Sequence, residues 1–231
     1  VVLDLGVSSM HLDNHHRGFS FKESGPLDMR MGNQTGPTAS EIINLCSEAT
    51  LADLIFFYGQ ERKARKIAKR IVAERKKKKI NTTLELAQII RAIVPKNFKK
   101  DPATRTFQAI RIAVNNELKD LSRALTFAEK IIIKGGIIAV VTFHSIEDKI
   151  VKDFGKIMSG KASSTNRYRP PTSKTFASLI PVNKRPVVAT DNEIYRNKRA
   201  RSAKLRVYKK VSDNPSSILA SIRFPEVELG I

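Results

Sequence analysis

The apolar positions of the chain follow two periods, one typical of strands and one typical of helices. Near-continuous apolar runs occupy residues 1–5, broken by Asp4, and residues 137–143, broken by Thr142, and residues 203–211 alternate apolar with polar. Continuous runs of this length are typical of strands buried in a parallel sheet, whereas alternation indicates a strand with one exposed face. The pattern therefore predicts two buried parallel strands and a last strand near the carboxyl end, with residues 175–182 as a further candidate.

Between and after the two apolar runs the period becomes that of amphipathic helices. Thr38 or Ser40 can cap the first of these helices, Thr82 with Glu85 forms a capping pattern for another, and Pro95 ends it. The spacing predicts helices over residues 38–45, 51–58, 64–72, 82–94, 102–133 and 146–157, and a short one over 191–199.

This order of elements is that of the second half of a doubly wound α/β sheet. The predicted domains are an α/β Rossmann-like domain over residues 1–36 and 96–231, and an inserted all-helical subdomain over residues 37–95. Because Val1 stands in mid-strand with no element before it, we expect part of the α/β domain to lie upstream of this chain.

The net charge of the chain indicates the class of its binding partner more clearly than it indicates a reaction. The chain has 231 residues, 42 Lys and Arg against 22 acids, and a formal net charge of +20. Such a balance favours a polyanion, and nucleic acid is the leading candidate over an anionic membrane surface. No apolar run approaches the roughly 20 residues that span a bilayer, and no signal peptide is evident. The single Cys46 excludes an internal disulfide and fits a reducing compartment, so we expect a cytoplasmic protein.

Two polar residues follow the two apolar strands. Asp4 lies at the end of the first strand and His144 directly after the second, so parallel strands would bring both to one edge of the sheet, where α/β proteins bind ligands. Asp4 and His144 are therefore candidate catalytic residues. A turn or cap residue remains the alternative for Asp4, and a helix-start residue the alternative for His144. The adjacent His15 and His16 have no carboxylate or Cys at metal-ligand spacing, so we expect no metal site.

Several residues are candidate RNA contacts. Arg17 and Phe19 in the long polar loop over residues 11–37 suit stacking on an unpaired base with a phosphate contact beside it, and Arg30 lies in the same loop. The alternative is that the rings pack under the loop, which is favoured for Phe21. Arg105 either faces RNA or caps the helical subdomain.

Two dense basic runs add to these candidates. They cover residues 76–79 and 196–210, and the second contains Arg201 and Lys204. Lys and Arg that neutralise phosphates set affinity rather than the choice of base. A solvated helix or strand face is the alternative for each run.

Seven ordered blocks resemble the MraW/RsmH family of S-adenosylmethionine-dependent rRNA methyltransferases. They are residues 4–9, 17–21, 25–31, 58–62, 102–109, 143–148 and 199–206. The resemblance implies a class I methyltransferase fold that methylates N4 of a cytidine in the decoding region of 16S rRNA. It assigns S-adenosyl-L-methionine as cofactor, with Asp4 and His11 as cofactor-binding residues, and 16S rRNA or the small ribosomal subunit as partner; a homodimer is left open. It also assigns substrate recognition to the inserted helical subdomain over residues 37–95.

The chain departs from the family pattern in two places. The family's N-terminal third, with its glycine-rich cofactor loop, is absent, so this chain alone is expected to bind cofactor weakly or not at all. Met10-His11 replaces the Pro-Gln of many members, although imidazole can keep one hydrogen bond. A non-catalytic RNA-binding remnant of the enzyme is therefore the alternative function, and a structural partner of ribosomes is a weaker third.

Overall fold

The computed structural model describes residues 1–32, 36–95, 101–160, 177–213 and 224–231. In chain order the elements are β1 Val2–Asp4, α1 Ser9–Asp13, α2 Ala39–Leu45, α3 Glu48–Phe57, α4 Ala64–Arg75, α5 Thr83–Arg91, α6 Thr104–Asn115, α7 Glu117–Ile131, β2 Ile137–Thr142, α8 Ser145–Met158, β3 Leu179–Pro181, β4 Val187–Val188, α9 Asp191–Arg196 and β5 Lys204–Lys210. Short 3₁₀ helices cover His15–Arg17 and Lys198–Ser202. Among these helices none is long and apolar enough to cross a membrane.

The chain divides into two compact units. The sheet unit comprises Val1–Gly6 and Leu118–Phe224, and the helical unit comprises Val7–Glu117 and Pro225–Ile231. The helical unit is larger than the predicted insertion because backbone hydrogen bonds tie the polar loop to the helices. Leu27 donates to the carbonyl of Asn81 at 3.0 Å, and Thr83 donates to that of Gly25 at 2.9 Å.

The sheet unit has the mixed sheet of the predicted α/β, Rossmann-like class. Its strand order is β1-β2-β5-β3, and β4 also pairs with β5. β1 and β2 run parallel, whereas β5 runs antiparallel to β2, β3 and β4. The predicted strands over residues 137–143 and 203–211 are confirmed as β2 and β5. β3 lies within the third candidate, residues 175–182, whose first two positions fall outside the described residues.

β1 differs from its prediction as a buried strand. Val2 is 74% exposed, and the strand has β2 as its one neighbour among the described strands. The described residues thus leave Val2 uncovered, where a strand with both faces packed would bury it. β2 is better covered, since Ile138 and Val140 on its inner face are fully buried.

In the helical unit, the helix caps predicted from the sequence are present. Thr38 caps α2 by accepting a hydrogen bond from the backbone N–H of Glu41, and Thr82 does the same for Glu85 at α5. Oε2 of Glu85 accepts hydrogen bonds from the backbone N–H groups of Asn81 and Thr82, and Oε1 accepts one from Lys78. These contacts lower the pKa of Glu85 to about 2. The buried core of the unit includes Leu51, Leu54, Ile55, Ile67, Ile71, Leu86, Ile90 and Ile110.

The single helix predicted over residues 102–133 is wrong. The structure breaks it into α6 and α7 at Asn116, whose φ is +51°. Asparagine enters the left-handed region more readily than most residues, and it ends α6 there. The apolar period continues through the break, so spacing alone gives no sign of it.

Candidate active site

Asp4 lies where β1 ends beside β2. Its Cα is paired with that of Val141, and the backbone N–H of Leu5 donates to the carbonyl of Val141 at 3.1 Å. The Asp4 side chain is exposed and makes no hydrogen bond or ion pair with any residue that the structure describes. The sheet therefore fixes the backbone of Asp4, and its carboxylate is free to accept hydrogen bonds from a ligand.

Gly6 turns the chain away from the sheet directly after this acid. Its φ is +93°, in the region that favours glycine. An added Cβ would lie 3.5 Å from Cδ2 of Phe143, which is an ordinary contact distance. Backbone conformation rather than lack of space therefore explains glycine at this position.

His144, the second predicted catalytic residue, follows β2 and is the N-cap of α8. Its Nδ1 accepts a hydrogen bond from the backbone N–H of Glu147 at 3.4 Å, and the imidazole is about 10% exposed. Its Nε2 lies 3.1 Å from Oε1 of Glu147 but makes no hydrogen bond with the described part of the chain. The geometry matches the helix-start alternative that the sequence left open.

Glu147 completes this cap and was missed by the sequence analysis. Its Oε2 accepts hydrogen bonds from the backbone N–H groups of Phe143 at 2.8 Å and His144 at 3.1 Å. Burial raises the pKa of this carboxyl, but the His144 imidazole and the two N–H groups outweigh burial, so the pKa is lowered. The signal that could have found it is the capping-box spacing of three residues, with His in the place of Ser or Thr.

Asp148, one residue further, anchors two basic side chains of β5. Arg206 Nε donates to its Oδ1 at 2.7 Å, and Lys204 Nζ to its Oδ2 at 3.2 Å. Burial raises the pKa of Asp148, but these two hydrogen bonds and charges lower it further than burial raises it. Lys204, a predicted RNA contact, is thus already paired and 41% exposed, whereas the exposed Arg201 has no ion pair within the described ranges.

In the helical unit, His11 forms a local cap at the start of α1. Its Nδ1 accepts a hydrogen bond from the backbone N–H of Ser8 at 3.3 Å and lies 2.9 Å from the Ser8 hydroxyl oxygen. The ring also lies 5.2 Å from that of Phe19, centroid to centroid. One nitrogen of the imidazole is therefore committed to the turn.

The arginines of the polar loop are used within the loop. Arg17 Nη2 donates to the carbonyls of Arg30 at 2.7 Å and Met31 at 3.2 Å. Arg30 binds Asp28 through its Nε and Nη2, both at 2.8 Å, and this contact lowers the pKa of Asp28. Both guanidinium groups thus stabilise the loop conformation.

The aromatic residues of the same loop are covered. Phe19 is 8% exposed, which leaves little of its ring for stacking on a base. Phe21 packs against Phe107, with ring centroids 4.7 Å apart, as the alternative for Phe21 anticipated. The stacking role of Phe19 therefore stays a prediction that its burial does not favour.

Arg105, at the start of α6, holds the end of α3. Its Nη1 donates to the carbonyl of Gln60 at 3.2 Å and lies 3.6 Å from Oε2 of Glu61. Gln108, one turn later, donates to the carbonyl of Tyr58 at 3.0 Å. These contacts fit the capping alternative, although the Arg105 side chain remains 56% exposed.

Comparison with known proteins gives a consistent result. The model of the MraW methylase family matches residues 1–211. Three proteins named ribosomal RNA small subunit methyltransferase H are similar to this chain: that of Gluconobacter oxydans is 49% identical over 208 residues, that of Methylobacterium nodulans 51% over 209, and that of Roseobacter denitrificans 47% over 234. These alignments cover 89%, 89% and 100% of this chain, which spans 64%, 61% and 70% of the respective relatives.

Proposed function

The chain belongs to the MraW methylase family, and we propose that it carries out S-adenosylmethionine-dependent methylation of small-subunit ribosomal RNA, at N4 of a cytidine in the decoding region of 16S rRNA. The observation that carries this proposal is the family match over residues 1–211, together with the names of relatives about half identical to it. The formal charge of +20 supports an RNA substrate.

S-adenosylmethionine, when bound, supplies the methyl group from its sulfonium centre. The task of the chain is then chiefly one of position, because in-line transfer needs the nucleophile close to the methyl and aligned with the breaking bond. The exocyclic amine of cytosine is a poor nucleophile, and an acceptor near its N–H groups would favour the developing tetrahedral nitrogen.

Asp4 fits either of two tasks at this site. An exposed carboxylate without a partner among the described residues can accept hydrogen bonds from cofactor hydroxyl or amino groups, as the family resemblance implies. It can equally accept from the N4 amine. We assign it to the cofactor, because the family resemblance implies this role and a ligand can supply the hydrogen-bond donors that the described residues do not provide.

His144 is a positioning residue in this proposal. Its Nδ1 is already engaged by the backbone, and with Glu147 it orders the turn between β2 and α8 at the same sheet edge as Asp4. A neutral imidazole that accepts at Nδ1 carries its proton at Nε2, so a role as general base would need this cap to open.

His11 is a second proposed cofactor contact. Its Nδ1 is held by Ser8, which fixes the ring and leaves Nε2 as the atom that could contact the cofactor. This role predicts that His11→Gln, which restores the amide of many family members, keeps cofactor affinity.

The proposed RNA-contact residues differ in the contacts that they already make within the fold. Arg201 is exposed and unpaired within the described ranges, so it is the strongest of them. Lys204 shares its charge with Asp148, and Arg105 is near Glu61. Arg17 and Arg30 act on RNA through the loop shape they maintain, and Phe19 supports that loop from beneath.

The test is transfer of labelled methyl from S-adenosylmethionine to small ribosomal subunits by the longest polypeptide that the gene encodes, with mapping of the modified nucleotide. The proposal expects label on a single cytidine at N4. Label at another base would overturn the assignment of the site, and RNA binding without any transfer would favour the non-catalytic remnant.

A further inference from the structure

A groove lies in the helical unit between α3 and α4. Its cavity measures about 510 Å³. Its lining consists of Ala52, Asp53, Phe56, Phe57, Arg62, Lys63, Ala64, Arg65 and Lys66. Two aromatic rings and four basic side chains thus surround one acid, and none of the proposed contacts above lies in the groove.

The two rings are unusually open for phenylalanine. Phe56 is 53% and Phe57 41% exposed, and their centroids are 5.2 Å apart with planes at 78°. Exposing neighbouring rings to water is unfavourable, and apolar patches rimmed by polar residues mark interaction sites. The open ring faces are surfaces on which a flat group can stack.

The cations beside the rings are also available. Arg62, Arg65 and Lys66 are exposed and make no ion pair with any described residue. The nearby lysine run is different, because Lys77 pairs with Glu74 and Lys78 with Glu85. The groove therefore keeps its positive charge, while part of the basic run over residues 76–79 is neutralised within the fold.

We infer that this groove binds an unpaired stretch of the RNA substrate, with a base stacked on Phe56 or Phe57 and the backbone phosphates on Arg62, Arg65 and Lys66. The inference rests on the proposed function and adds a substrate-binding surface to it. Open aromatic faces next to free cations are the combination by which proteins hold single strands, whereas a duplex offers phosphates but keeps its base faces stacked. An acidic protein segment would use the cations and leave the rings without a role.

Fluorescence anisotropy with labelled single-stranded oligouridylate and a labelled RNA duplex tests this inference. At least one of the variants Phe56→Ala and Phe57→Ala should bind oligouridylate about tenfold more weakly, since stacking contributes roughly 1–3 kcal/mol per base and 1.4 kcal/mol is a factor of ten. Duplex binding should change little. Phe127→Ala is the matched control, because Phe127 on α7 is 62% exposed and does not line this groove.

Two further variants test whether base stacking and phosphate contacts account for the binding. Phe56→Trp keeps a stacking surface and should retain oligouridylate binding, while thermal unfolding of all the variants should stay close to that of the wild type because the rings are exposed. Arg65→Gln should lower the slope of log affinity against log salt by about 0.7, the contribution of one phosphate contact on a single strand.

The possible results distinguish a failure of the inference about the groove from a failure of the proposed function. Unchanged oligouridylate binding in both alanine variants would overturn the inference and leave the groove to a protein partner, even if methylation of small subunits proceeds. Loss of oligouridylate binding in at least one of the alanine variants with retention in Phe127→Ala and Phe56→Trp would support it. Absence of any RNA binding by the wild type would remove the groove and the proposed function together.

Discussion

The ends of β1 and β2 are adjacent at one edge of the sheet, yet their polar residues are in opposite situations. Asp4 is exposed and unpaired among the described residues, whereas His144 is covered and bound to the backbone N–H of Glu147. The acid at the end of β1 is thus free among the described residues, whereas the histidine after β2 is used to cap α8. Position at a sheet edge therefore makes a residue a candidate for ligand binding. The hydrogen bonds that it already makes within the fold determine whether it is free to bind a ligand.

Replacing the free acid should have the largest effect on function. Asp4→Asn in the longest encoded polypeptide should lower methylation of small subunits by at least about 100-fold, corresponding to about 2.7 kcal/mol, because a carboxylate that holds charged or donor groups of the cofactor is lost. Stability should change by less than about 0.5 kcal/mol, as expected for an exposed side chain without partners. Methyl transfer and urea unfolding measure the two effects, with Asp120→Asn on α7 as the control. Normal methylation by Asp4→Asn would remove Asp4 from the site.

Removing the Glu147 carboxylate from the cap of α8 should, in contrast, mainly lower the stability of the protein. Glu147→Ala leaves two backbone N–H groups without their acceptor, so the free energy of unfolding should fall by about 2 kcal/mol in urea unfolding. Wild-type stability would show that the turn between β2 and α8 does not depend on this carboxylate.

The same carboxylate should make stability depend on pH. Its pKa is lowered from the ordinary value of 4.5. Its ionised form therefore contributes stability that is fully present above pH 4.5 and is lost as the pH falls through the lower folded pKa. The difference in unfolding free energy between wild type and Glu147→Gln should accordingly shrink below pH 4.5, and a difference that grows on acidification would contradict this direction.

A change at Gly6 should be smaller. Gly6→Ala places a side chain at φ +93° and should cost about 1 kcal/mol of stability, although there is room for the methyl group. Gly32→Ala is the matched control, because a Cβ added at Gly32 meets no described atom within 4 Å and Gly32 has no positive φ, so it should leave stability nearly unchanged. Equal effects of the two substitutions in thermal unfolding would contradict the conformational explanation.

The smallest effect is expected where one cap residue replaces another. Asn is among the best N-caps, so His144→Asn should change stability by less than about 0.5 kcal/mol and methylation by less than about threefold. A loss of activity beyond tenfold, with stability retained, would instead restore the catalytic assignment of His144. The pH profile of methylation in this variant distinguishes the two cases, since a positioning residue leaves it unchanged.

Much of the sheet unit followed from the sequence because its signals are local. The apolar run over residues 137–143 and the alternation over 203–211 predict β2 and β5 without knowledge of their neighbours. β4, with two residues, is too short to leave such a pattern. The exposure of Val2 and the break at Asn116 could not be predicted, since neither depends on the spacing of apolar residues.

The site was less predictable because pairing is a tertiary property. Arg17 and Phe19 suggest RNA contact as residue types, but the folded loop directs that arginine to two carbonyls and buries that ring. Phe56 and Arg65 are of the same types and remain exposed on helices. Composition gives the number of charged and aromatic side chains. Only the fold determines which of them are exposed and available to bind RNA.

The most direct test of the free acid is calorimetric titration of S-adenosylmethionine into the longest encoded polypeptide, with the wild type, Asp4→Asn and His144→Asn compared. If the Asp4 carboxylate holds the cofactor, Asp4→Asn should bind at least about tenfold more weakly, while His144→Asn binds as the wild type does. Equal affinity of Asp4→Asn and wild type, or a loss confined to His144→Asn, would contradict the account.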